Sequence, residues 1–245
     1  MGDLIPANAP VRLRVHGQGL ADDAAFAVRR IYCVGRNFAD HAREMGARAP
    51  ASKAERGTPI FFLKPADAIV TDGIVHYPPG TSDLQHEVEL IVALGEDAPA
   101  GELSREKAAA LVLGYGVGLD LTRRDLQAIA KSQGLPWDTG KSFDDCAVAS
   151  DLWRAHELPA IETLGLSLEV NGELRQQGRF SDLIWDVPDI LIELTRLYAL
   201  KAGDLVYMGT PAGVAALVPG DRFTASITES PIRLQGRLVA GDVNR

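Results

Sequence analysis

Gln85-His86-Glu87-Val88-Glu89-Leu90-Ile91-Val92-Ala93-Leu94-Gly95 reads as a β-strand: Val88, Leu90 and Val92 alternate with Glu87, Glu89 and Ile91, and Gly95 ends the run. Side chains two residues apart on a strand share a face, roughly 6.5 Å apart along the chain. Glu87 and Glu89 therefore point the same way from an otherwise apolar segment. On a solvated edge strand such a pair needs no explanation, because charged side chains are usually exposed. On an inner strand two like charges are costly unless a positive group lies between them. A hard divalent cation, which prefers carboxylate oxygens, is the simplest such group.

The 245 residues are 46% hydrophobic and 24% charged, the composition of a globular chain long enough to bury a substantial core. A net charge of −8 speaks against nucleic acid as a partner. It leaves room for a small anionic ligand, since binding follows local charge. No apolar run is long enough to span a bilayer, and Met1-Gly2-Asp3-Leu4 is not a basic segment followed by an apolar one; the expectation is a cytoplasmic protein with no membrane partner. Cys33 and Cys146 are the only cysteines, too few for a disulfide scaffold or a thiolate zinc site, and are expected to pack as small hydrophobes.

Outward from the Glu87/Glu89 strand, residues 1–28 read as an N-terminal extension with one short strand near 11–15, and residues 29–245 as the main domain. Residues 30–34 are a buried strand ending at Gly35. A short helix follows, with Asn37 as its N-cap and Gly46 as its stop, which makes His41 and Glu44 neighbours on one face. Residues 47–59, rich in Pro, Gly, Ser and charge, read as a loop placed to act as a lid. Residues 60–65 are a strand ending on Lys64. Residues 111–120 are a glycine-rich strand; its glycines lack the G-x-G-x-x-G spacing and mark close backbone packing instead. Thr122-Arg123-Arg124-Asp125 has the form of a capping box opening a helix to about residue 132, with Arg124 and Gln127 on one face. Residues 137–144 read as loop. Asn171-Gly172 turns a hairpin between 164–170 and 173–177. A helix over 188–198 carries Ile190, Leu191, Leu194 and Leu197 on its apolar stripe, and strands at 204–208, 222–227 and 232–239 close the chain. Many strands with few helices, not in strict alternation, predict an α+β fold.

Three acids thus stand at strand positions or strand ends, Glu87, Glu89 and Asp120. Arg36, Lys64, Arg124 and Lys141 lie at the ends of elements or in loops beside them. A carboxylate triad with nearby cations suits a metal that holds an anionic, oxygen-rich ligand, and Mg²⁺ or Mn²⁺ would keep positions open for substrate oxygens and water.

The chain resembles the fumarylacetoacetate hydrolase superfamily, and within it the short acylpyruvate and fumarylpyruvate hydrolases, over about residues 29–240. The likeness is carried by Cys33-Val34-Gly35-Arg36-Asn37-Phe38 with His41 and Glu44-Met45-Gly46, by Phe62-Leu63-Lys64-Pro65, and by His86-Glu87-Val88-Glu89-Leu90. It continues in Leu119-Asp120-Leu121-Thr122-Arg123-Arg124-Asp125-Leu126-Gln127 and in Pro136-Trp137 with Lys141-Ser142-Phe143-Asp144. Its last members are Val170-Asn171-Gly172-Glu173-Leu174-Arg175-Gln176 and Gly209-Thr210-Pro211-Ala212-Gly213-Val214. The resemblance implies a mixed β-roll catalytic fold, usually a homodimer, with Mg²⁺ or Mn²⁺ held by Glu87, Glu89 and Asp120. It places a catalytic dyad at His41 and Glu44 on a lid helix and a catalytic lysine at Lys141. Arg36, Arg124, Gln127, Thr210 and Lys64 fall at positions used around substrate. Gln85 stands where many members carry a second histidine.

The activity so implied is metal-dependent hydrolysis of a C–C bond in a 2,4-diketo acid, giving pyruvate and a carboxylic acid, with fumarylpyruvate of gentisate-type aromatic degradation as the substrate most resembled. Decarboxylation or tautomerisation of oxaloacetate would use the same site. A metal- and anion-binding protein without turnover is a third reading, from a different class.

Overall fold

Val88–Leu94 is buried along its whole length. Val88, Leu90, Val92 and Leu94 enter one hydrophobic core, while Ile91 and Ala93 enter a second on the opposite face. Burial on both faces explains why apolar residues there are nearly continuous rather than alternating with polar ones. The computed structural model describes residues 8–44, 46, 50 and 53–241; Met45 and residues 47–49 and 51–52 of the expected lid loop lie outside the described residues.

The segment expected as one strand is two. Leu84–His86 pairs with Thr122–Arg123 and Ala215–Ala216 in a small three-stranded ribbon, whereas Val88–Leu94 runs between Val112–Asp120 and Asp204–Tyr207 in the main sheet. Glu87 is the residue at the switch between the two sheets. The main sheet continues from Val112–Asp120 through Leu152–Arg154 and Arg12–His16 to Ala25–Ala27, and on the other side through Arg30–Gly35 to Ile60–Lys64. It is mixed: Arg12–His16 runs parallel to Leu152–Arg154 and Asp204–Tyr207 parallel to Arg30–Gly35, the other pairs on this path being antiparallel. The segment before residue 29 therefore shares the sheet of the rest, with Ala25–Ala27 rather than the 12–16 strand at the edge.

A second sheet, ordered Glu173–Arg179, Gly165–Val170, Arg222–Ile227, Arg233–Val239 and Ile74–His76, contributes Leu166, Leu168, Phe223, Ala225 and Leu234 to the core that receives Leu90 and Val92. Asn171 and Gly172, at φ 54° and 81°, make the expected hairpin turn. In the glycine-rich strand, a Cβ on Gly118 would sit 2.4 Å from the Val148 carbonyl oxygen, so the close packing read from sequence is real.

The helices are few and short, as an α+β fold requires. Val187–Thr195 buries Ile190, Leu191 and Leu194; Leu197 lies beyond its end and is exposed, a correction to the longer helix expected. No helix among the described residues is long and apolar enough to cross a membrane. Two expected caps are absent. Asn37 is fully buried, with its amide bonded to Trp185 and Met208 rather than to the Ala39–Glu44 helix. Arg124–Gln133 starts without a side-chain cap, because the Thr122 hydroxyl faces Asp120 and Lys141 instead. Both capping residues were claimed by tertiary partners. Residues expected as loop after Trp137 include the one-turn helix Asp138–Lys141, which carries Lys141 inward.

Candidate active site

The switch at Glu87, the middle of the sheet at Glu89 and the end of Val112–Asp120 bring three buried carboxylates together, with ligand oxygens within 4.8 Å of one another. Three cations surround them. Lys141 Nζ donates to Glu87 Oε2 (2.6 Å), Asp120 Oδ2 (2.7 Å) and Thr122 Oγ1 (2.7 Å), which occupies all of its donors. Arg124 Nη2 donates to Glu87 Oε1 at 2.5 Å. Lys64 Nζ lies 2.8 Å from Asp120 Oδ1 and donates to the Leu121 and Lys141 carbonyls. Its contact with Oδ1 is electrostatic but not an aligned hydrogen bond, so that buried oxygen has a lone pair free.

The acids are not equivalent. Burial alone would raise Glu87, but the Lys141 ammonium and the Arg124 guanidinium overcome it and hold this carboxyl well below the usual range. Glu89 has no ion pair among the described residues and accepts only the Gly209 N–H, at 2.7 Å. Burial, then the neighbouring Asp120 and Glu87 charges, push it well above the ordinary carboxylate range. An all-oxygen, all-carboxylate donor set in which Glu89 has no cation partner among the described residues fits a hard divalent cation. Glu87, Glu89 and Asp120 balance Lys64, Arg124 and Lys141 one for one. Adding a dication leaves an excess of two positive charges, suited to an anionic ligand.

Above the acids opens a cleft lined by Arg36, His41, Glu87, Glu89, Asp120, Arg124, Gln127, Lys141 and Thr210, among others. The structure thus brings every expected site residue to this cleft except two. Lys64, expected to contact substrate, is instead sealed beneath Asp120 with its ammonium engaged by protein atoms. Glu44 stands one bond behind His41: His41 Nδ1 and Glu44 Oε2 are 3.0 Å apart, and Glu44 Oε1 accepts the Gly213 N–H at 3.0 Å. A carboxylate at Nδ1 makes that nitrogen the proton carrier and leaves Nε2 as an acceptor, the state a general base requires.

Hydrogen-bond direction fixes what several lining groups offer. Gln127 Oε1 accepts from Arg124 Nη1 at 2.7 Å, which leaves its NH₂ available as a donor. Gln176 Oε1 accepts the Val88 N–H and faces His86 Nδ1, so its Nε2 must be the atom that donates to Thr210 Oγ1 (2.7 Å) and the Pro211 carbonyl. Thr210 therefore keeps its own O–H as a donor. Gln85 Oε1 accepts from Arg124 Nε at 2.7 Å, which aims that guanidinium at Glu87. Arg36 holds a left-handed backbone, φ 58°, a conformation that costs a non-glycine residue about 1 kcal/mol or more and that persists where surrounding structure imposes it.

Sequence reasoning missed Gln176 and Lys131. Gln176 stands at the end of the 170–176 stretch that carries the resemblance but is given no role there, since that role exists only once its strand meets the 84–88 segment. Lys131 did give a local signal, lying at i+7 from Arg124 and i+4 from Gln127 on the helix face already identified. It lines the cleft with its ammonium 5.2 Å from the Trp137 ring centroid. Burial, then the guanidinium groups of Arg124 and Arg36, lower its pKa to about 8.

The family described as Fumarylacetoacetate (FAA) hydrolase C-terminal matches residues 30–239. The chain is similar to the fumarylpyruvate hydrolase of a Ralstonia species, with 40% identity over 169 residues that cover 69% of this chain and 86% of that protein. It is 40% identical over 200 residues to the mitochondrial oxaloacetate tautomerase of Bos taurus, covering 81% of this chain and 87% of the relative. Among solved structures, the fumarylpyruvate hydrolase of Pseudomonas aeruginosa in complex with Mn²⁺ and pyruvate superposes with a TM-score of 0.88 at 40% identity, covering 98% of this chain and all of that one. A matching sequence pattern over most of the chain and the same architecture end to end make this protein a member of the fumarylacetoacetate hydrolase family.

Proposed function

We propose that the protein is a metal-dependent hydrolase of 2,4-diketo acids, with fumarylpyruvate as the preferred substrate and pyruvate and fumarate as products. The observation that carries the reading is the full-length likeness to the P. aeruginosa enzyme. The cleft supports it chemically, since a histidine with a free Nε2 shares one small cavity with a carboxylate triad.

Glu87, Glu89 and Asp120 would hold Mg²⁺ or Mn²⁺, which supplies Lewis acidity and a template for adjacent carboxylate and keto oxygens. The Gln127 NH₂, the Thr210 hydroxyl and the Arg36 guanidinium bind and orient the anionic substrate. His41 Nε2 takes a proton from water, while Glu44 keeps Nδ1–H in place and stabilises the imidazolium that forms. The resulting hydroxide adds to the C4 carbonyl. The C3–C4 bond then breaks, its electron pair passing to the pyruvate fragment as an enolate. Lys141 supplies positive charge beside that enolate. The proton held on His41 returns to C3, so one water has been added across the broken bond. The homodimer of the family likeness and the cytoplasmic location read from composition belong to this proposal; light scattering of the purified protein checks the first.

A second reading, oxaloacetate tautomerisation or decarboxylation, is favoured by the equal identity to the Bos taurus enzyme. Enolate formation in the same cleft serves both. The test is metal-stripped protein mixed with fumarylpyruvate, acetylpyruvate or oxaloacetate, with and without Mg²⁺, following the enol absorbance and the products. Mg²⁺-dependent cleavage fastest for fumarylpyruvate is the expected result. Rapid oxaloacetate turnover beside slow cleavage of both diketo acids would transfer the function to the second reading.

A further inference from the structure

Along the Arg124–Gln133 helix, Arg124, Gln127 and Lys131 form one stripe on the cleft wall. Their tasks differ. Arg124 is tied to Glu87, Gln127 and Gln85, and Gln127 is oriented by Arg124. Lys131 ion-pairs with no carboxylate among the described residues; its contact is the Trp137 ring. Its Cα lies about 10 Å along the helix from that of Arg124, at 1.5 Å rise per residue. Its side chain lines the cleft beyond Gln127, in the same electrostatic neighbourhood as Arg124, Arg36 and Glu87. A half-buried ammonium packed on an indole and facing a cleft, without an acidic partner in a chain of net charge −8, is a site for an anionic group that the protein itself does not supply.

We propose that Lys131 is a specificity residue that receives the distal carboxylate of a dicarboxylic substrate, so that acyl groups ending in carboxylate are favoured over those ending in methyl. The inference rests on the reading of the cleft as a diketo-acid site and adds the feature that selects among such acids. The substrate's carboxylate and 2-keto oxygen lie at the acid triad and the chain runs along the helix wall. A second carboxylate then reaches the Lys131 ammonium, whereas a terminal methyl group leaves that charge without a partner.

The test compares wild type with Lys131→Met, which keeps most of the aliphatic stem and removes the charge, and with Lys131→Arg. Binding to the Mg²⁺-loaded protein is measured for 2-oxoheptanedioate and for 2-oxoheptanoate, which differ only in the distal carboxylate. The charge-removing variant is expected to weaken the diacid roughly tenfold or more, the scale of a lost charge-assisted hydrogen bond. The monoacid should change by less than about twofold, and Lys131→Arg should keep the preference. In kinetics, KM for fumarylpyruvate should rise by a similar factor while kcat/KM for acetylpyruvate stays near wild type. Equal weakening of both acids, or of neither, would overturn the assignment. If wild type cleaves no diketo acid at all, the hydrolase reading fails, and the matched pair of oxo acids still decides the role of Lys131.

Discussion

On the floor of the cleft, Glu87, Glu89 and Asp120 are fixed by a ladder of strands, and three cations and the Gly209 N–H meet them before any ligand arrives. On the roof, His41 and Glu44 ride on a helix of six residues, Ala39–Glu44, too short to be stable alone in water. Among the described residues it is pinned where it joins the rest by the Phe38–Leu183 bridge, by buried Asn37 and by the bond from Gly213 to Glu44. A floor set in the sheet can hold charge at constant geometry; a roof with few anchors can be the part that adjusts over substrate. In the proposed reaction the floor would bind the ligand and the roof would move the proton, and each substitution below should disturb one without the other.

The largest effects belong to the floor. Glu87→Gln and Glu89→Gln should each abolish measurable Mg²⁺ binding and cut turnover about a thousandfold or more, the loss of several kcal/mol of metal-derived stabilisation. Without metal the same pair should diverge. Glu87 is ion-paired twice, and its removal leaves buried cations undercompensated, at a cost of about 3 kcal/mol. Glu89 is an unpaired buried carboxyl, so its neutral isostere should be neutral or stabilising. Thermal melts of the metal-free variants check the order: Glu89→Gln at or above wild type, Glu87→Gln below both. The pH dependence has opposite signs. Glu87, with its folded pKa depressed, contributes stability that is present above its unfolded value near 4.3 and lost as pH falls toward the folded one. Glu89, with its folded pKa raised, makes stability decline as pH rises from that same unfolded value. A metal must displace the Glu89 proton, so Mg²⁺ affinity should increase with pH. Titration calorimetry in buffers of different ionisation enthalpy should show proton release that shrinks as pH rises, and a release independent of pH would contradict the state assigned to Glu89.

Next comes the roof. His41→Ala should lower kcat by about a hundredfold to ten-thousandfold, the range of general-base catalysis, while leaving Mg²⁺ affinity within about twofold of wild type. Glu44→Gln should lose a comparable amount: an amide whose oxygen keeps the Gly213 N–H turns its NH₂ to His41 Nδ1 and favours the tautomer protonated at Nε2. Loss of metal affinity in His41→Ala would erase the division between roof and floor.

How much of this could be read from the chain depended on whether the signal was local. The glycine-rich strand, the Asn171-Gly172 turn and the apolar run at 88–94 carry their structure in their own spacing, and they stand as expected. The break at Glu87 was hidden because the partners of Leu84–His86 come from residues 122–123 and 215–216; only the assembled ribbon shows that the strand changes sheets. Thr122 and Asn37 misled because polar side chains that suit helix starts also suit buried networks, and the tertiary partner prevailed. Lys64, read at a strand end, and Lys141, read in a loop, could not be told apart in role from their positions in sequence. One is sealed under an acid and the other opens to the cleft, a difference set by which side of Asp120 each approaches.

The smallest effect separates the wall from both floor and roof. Gln176 hydrogen-bonds none of the candidate metal ligands among the described residues, yet its amide joins the Val88 N–H and His86 on one side to Thr210 and the Pro211 carbonyl on the other. Gln176→Leu fills similar volume but leaves the buried Val88 N–H and Pro211 C=O without these bonds, which should cost about 1–3 kcal/mol. Burial lowers His86 below its usual pKa despite its bond to Gln176, so the ring stays neutral and no charge is stranded when that bond is lost. Freed from its donor, the Thr210 hydroxyl can turn away from the cleft and bond the protein instead, so KM should rise a few-fold with kcat held near wild type. A matched Thr210→Val substitution should raise KM equally, and the double variant no further, because both changes remove the same oriented donor. Additive effects on KM would mean that Gln176 acts on substrate through the 84–88 segment rather than through Thr210, tying the wall to the floor.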